Sequence, residues 1–95
     1  MNNIKVSIES GKRRGYQEVR TTGSTSYLFQ YAIKKERHLY QTYTLKIDET
    51  KFDVFEDYAE EEVQTFQTLE KAFEHLITKG ADIAKLAAIK NTLPF

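Results

Sequence analysis

The chain has 95 residues, with 14 Lys/Arg set against 14 Asp/Glu and no Cys. That is the length of one domain, with no thiols for a disulfide framework or a thiolate metal site and no net positive field to hold it on nucleic acid. No apolar run approaches the roughly 20 residues that span a bilayer, and the opening MNNIKVSIES lacks the apolar core of a leader. A cytoplasmic location away from membranes is therefore expected.

Ile4, Val6 and Ile8 alternate with Lys5, Ser7 and Glu9, which predicts a half-buried strand over residues 3–9. Gly11 and Gly15 then flank Lys12, Arg13 and Arg14 in a solvated loop. Tyr16–Thr22 reads as a weaker strand, because Tyr16 and Val19 cannot share a face without a bulge. Gly23-Ser24 is a turn. In Thr25–Lys34, Tyr27, Phe29, Tyr31 and Ile33 fall on one face, with Leu28, Gln30 and Ala32 on the other. Apolar character on both faces predicts a central strand.

Lys35–His38 is a hairpin-length connection. Over Leu39–Ile47, alternation puts Leu39, Tyr43, Leu45 and Ile47 on one face and Tyr40, Thr42, Thr44 and Lys46 on the other. The first set suits the core and the second a wet face turned away from any covering helix. Asp48–Lys51 is a turn and Phe52–Asp57 a last strand. The acidic stretch Tyr58–Gln64 is expected as a loop or helical turn.

Phe66, Leu69, Ala72, Phe73, Leu76 and Ile77 recur at the spacing of one helical face. Thr68 can accept a hydrogen bond from a free N–H of the first turn. Gly80 can take the left-handed conformation that ends a helix. Asp82 can cap a second, Ala-rich helix ending before Pro94. Strands in a run followed by helices define an α+β class. The expected architecture is an antiparallel sheet of four to five strands in a meander, packed on one face by a C-terminal amphipathic helix and followed by a second short helix.

Charge is unevenly spread. Residues 1–47 carry nine Lys/Arg and three Asp/Glu; residues 48–62 carry one Lys and eight Asp/Glu. Self-complementary neutralisation and two partner-seeking fields both fit this pattern. Catalysis finds no support: the glycines build no phosphate loop, no nucleophile elbow occurs, and nothing singles out a carboxylate pair. His38 and His75 read as solvated or capping groups. Glu56, Asp57 and Glu60–Glu62 lack the spacing and central Gly of a calcium loop, so no metal or cofactor is expected.

Six Tyr and six Phe exceed the needs of one small core, and Tyr is enriched at protein interfaces. The leading expectation is a non-enzymatic protein that works by stoichiometric contact with another protein, as accessory and immunity-type proteins do. Its contact surface would comprise Tyr40, Thr42, Thr44, Glu60 and Glu61. One alternative is single-stranded nucleic-acid binding through Arg13, Arg14, Lys34, Lys35 and Arg37, with tyrosines to stack bases. Another is a homo-oligomer assembled through a free sheet edge or the C-terminal helix.

Overall fold

The computed structural model describes residues 3–54 and 59–89, with side chains over 4–51 and 59–89. The chain opens with a helix, α1 (Asn3–Glu9), and not the expected strand. Ile4 and Ile8, four residues apart, suit either period, sharing a face in strand alternation and lying one turn apart in a helix. Val6 decides between them: it points outward, 68 % exposed, while Ile8 is fully buried. Gly11, at φ 95°, closes α1, with its N–H on Ile8 O and the Lys12 N–H on Ser7 O. This pair of bonds satisfies carbonyls that the helix end would leave free.

β1 (Arg14–Thr22), β2 (Thr25–Glu36) and β3 (Leu39–Asp48) form two successive hairpins. A kinked 3₁₀ segment, Glu49–Val54, follows where the last strand was expected to begin; residues 55–57 of that expectation lie outside the described residues. The acidic stretch is instead strand β4 (Glu60–Phe66), paired antiparallel with β3. Helix α2 (Leu69–Thr78) comes next, with the expected caps: Thr68 Oγ1 accepts from Lys71 N–H at 3.2 Å, and Gly80 sits at φ 103°. The second short helix is a single 3₁₀ turn, Ile83–Lys85, capped by Asp82. The chain then straightens into β5 (Ala87–Ala88), which pairs with Arg14 and Gly15 of β1. Pairing with a strand overrides the helix propensity of those alanines. The five-stranded sheet runs β4-β3-β2-β1-β5, antiparallel throughout, and the fold is α+β.

Both sheet faces are buried near the centre. Leu69, Ala72, Phe73 and Leu76 of α2 pack with Ile8, Tyr31, Ile33 and Tyr40. Ala32, Tyr43, Leu45 and Ile47 form a second cluster on the other face, with Leu28, Ala59 and Ile89 against it. Burying a large apolar side chain contributes about 1.5–3 kcal/mol, so both clusters matter in a chain this short. The orientation of β3 is the reverse of the expected one. Its register sets Thr44 opposite Tyr31 and Thr42 opposite Ile33, on the face that α2 covers. Tyr40, Thr42 and Thr44 are therefore buried, and the face beyond them is not open.

Candidate functional site: the free edge of β4

Among the described residues β4 lies at one end of the sheet, hydrogen-bonded to β3 on one side only. Alternation turns Glu60, Glu62, Gln64 and Phe66 toward α2, and Glu61, Val63 and Thr65 toward the opposite face. Most of the strand is solvent-exposed, and Val63 at its centre is 51 % exposed. An unpaired row of backbone N–H and C=O groups is a template for another strand.

Two anchors hold this edge. Glu61 Oε2 accepts the Tyr43 hydroxyl hydrogen at 2.7 Å. Burial first, and then this bond, push the Tyr43 pKa well above its ordinary value. On the other face Glu62 Oε1 lies 3.2 Å from His75 Nε2 and 3.3 Å from Lys79 Nζ. The Lys79 contact is an ion pair, and neither contact has the alignment of a hydrogen bond. The Gln64 amide donates to Glu62 Oε2 at 3.0 Å. That bond, and then Lys79, hold the Glu62 carboxyl below the usual range. The His75 ring lies tilted against Phe66, 5.1 Å between centroids, so it is half-buried in the α2–β4 seam and not solvated.

A cleft of about 440 Å³ opens beside this edge, between the last turn of α2 and the sheet. Phe29 and Tyr31 form its floor, with Lys46, Lys79, Glu60 and Glu62 around it. Lys46 stands opposite Glu60 in the register, yet its ammonium sits over the Tyr27 ring, 4.9 Å from the centroid. Arg20 lies 4.4 Å over Phe29 and donates to Gly80 O at 2.7 Å while pairing with Glu18. The two cations are thus committed to aromatic faces and local acceptors.

The expected site residues separate. Glu60 and Glu61 stand on the exposed edge, whereas Thr42 has no exposed surface, and its Oγ1 has no hydrogen-bond partner. The Tyr40 hydroxyl is spent on Glu9. Arg13, Arg14, Lys34, Lys35 and Arg37 do gather at one end of the sheet, where β1 starts and β2 ends. There Lys35 pairs with Glu9 at 3.0 Å and Lys34 lies 3.9 Å from Glu36. Among the described residues no Phe or Tyr side chain is exposed beside them. Nor do the described residues contain a cluster of His, Asp or Glu suited to a metal ion, or a helix long and apolar enough to cross a membrane.

Val63 is part of this edge and was not singled out by sequence. The signal available was the β-favouring Val63-x-Thr65-Phe66, masked by the glutamate run before it. No family model matches the chain, and neither curated proteins nor solved structures provide a similar one.

Proposed function

We propose that this chain is a small non-enzymatic binding module that acts by stoichiometric contact with another polypeptide, taken up as an added strand along β4. The observation that carries the reading is that β4, among the described residues, pairs on one side only, with an exposed outer edge and a cleft beside it. Strand addition draws affinity from main-chain hydrogen bonds and specificity from pockets that take alternate side chains. Glu60 and Glu61 of the expected surface belong to this edge. Tyr40, Thr42 and Thr44 lie on the neighbouring strand β3, opposite Phe66, Gln64 and Glu62. The test is affinity capture with the wild-type chain and with Glu60→Lys/Val63→Lys, whose edge lysines oppose strand addition. The reading expects a partner retained by the wild type, lost by the variant, and able to slow amide exchange over residues 60–66. A partner set untouched by the variant contradicts it.

A further inference from the structure

We infer that the strand received by β4 is β4 of a second copy of this chain, paired antiparallel about a two-fold axis at Val63. This deepens the docking-edge reading above and rests on it. Along Glu60–Phe66 three carboxylates are followed by four uncharged residues. In antiparallel pairing centred on Val63, Glu60 falls opposite Phe66 of the second copy, Glu61 opposite Thr65, and Glu62 opposite Gln64. No carboxylate directly faces another. A parallel, in-register pair would set three against three, and like charges directly opposite are destabilising.

α2 supplies the complementary charge. It runs back along β4 after the Gln67-Thr68 link, and His75 faces Phe66 and Glu62. Lys71 is one turn before His75 and so shares that flank, at the Phe66 end of the strand. This is the end where Glu60 of the second copy arrives. Within one chain neither Glu60 nor Lys71 makes an ion pair among the described residues. The two-fold brings each Glu60 to the Lys71 of the other copy, twice over, and sets the exposed Val63 against its own copy. Such an isologous contact closes on itself. Because α2 lies over β3 and β4, the helix of the second copy lies over its own strands, and the two do not overlap. The product is one continuous ten-stranded sheet.

Sedimentation equilibrium of the full chain, from micromolar to millimolar, reads the assembly directly. The expected result is a concentration-dependent shift from the 11.1 kDa chain to twice that mass. Glu60→Lys and Lys71→Glu should each raise the dimer dissociation constant about tenfold or more by setting like charges together, and the double variant Glu60→Lys/Lys71→Glu should restore it. A wild-type chain of single mass throughout overturns the inference. So does a dimer indifferent to both reversals, or one not restored by the double variant. A lysine-threonine alternating heptapeptide serves as the competing occupant. If it protects the β4 amides of a chain that stays monomeric, the self-pairing fails and the docking edge stands. If the β4 amides remain open with the peptide and in concentrated protein alike, both fail.

Discussion

The Tyr40 hydroxyl donates to Glu9 Oε1 at 2.8 Å, fastening the first helix to the third strand. Lys35 Nζ reaches the same oxygen at 3.0 Å. The Tyr40 bond first, and then Lys35, hold the Glu9 carboxyl below its ordinary 4.5. A carboxyl depressed by folding contributes stability that is present above its unfolded pKa and lost as pH falls through the folded one. Tyr40→Phe should return the Glu9 carboxyl toward 4.5 and shrink the acid-side loss of stability. Carbon-detected titration of Glu9 checks it; an unmoved Glu9 would contradict the assignment.

Thr42 carries a buried hydroxyl with no hydrogen-bond partner among the described residues. An unmet buried polar group costs about 1–3 kcal/mol. Thr42→Val keeps the branched shape and removes the penalty, so the unfolding free energy should rise by about 1 kcal/mol. Urea denaturation measures it, and a loss of stability would show that the hydroxyl is satisfied.

Gly11 and Gly80 both take left-handed backbone, at φ 95° and 103°, to end α1 and α2. They differ in surroundings. A Cβ on Gly11 meets nothing within 4 Å, whereas one on Gly80 would lie 3.0 Å from Arg20 Nη1 and 3.1 Å from the Tyr31 hydroxyl oxygen. Gly11→Ala should cost only the conformational penalty, about 1–2 kcal/mol. Gly80→Ala should cost more, because Tyr31 is buried and bonded to Lys79 O and cannot retreat. Comparing the two urea midpoints tests the ordering.

The two hairpins offer a parallel comparison. Each has two residues between paired strand ends, and the first of them has positive φ: 63° at Gly23 and 63° at Arg37. Glycine meets that demand without a Cβ clash and arginine does not. Arg37→Gly should raise stability by about 0.5–1 kcal/mol, and Gly23→Arg should lower it by a similar or larger amount. Thermal unfolding of the pair decides it.

How far the chain could be read depended on how each element is buried. α2 was legible because Leu69, Ala72, Phe73 and Leu76 are all buried on one face between Thr68 and Gly80. The apolar stripe erred only at its ends: Phe66 belongs to β4, and Ile77 is 56 % exposed. β2 was legible because it is central and apolar on both sides. α1 was not, since seven residues with Ile at positions one turn apart satisfy two periods at once. β4 was hidden for the opposite reason. An exposed edge strand needs no apolar alternation, so Glu60–Glu62 resembled a loop. The wrong face for Tyr40, Thr42 and Thr44 followed from judging β3 alone. Its pairing with Tyr31 and Ile33 sets the side, and pairing is not written in either strand by itself.

Amide hydrogen exchange over Glu60–Phe66, in dilute and in concentrated protein, bears most directly on the role given to β4. The outward-facing amides of this strand should exchange freely when dilute and become protected as concentration rises, while those of α1 should not change. Rates over residues 60–66 that are the same at both concentrations would contradict self-pairing.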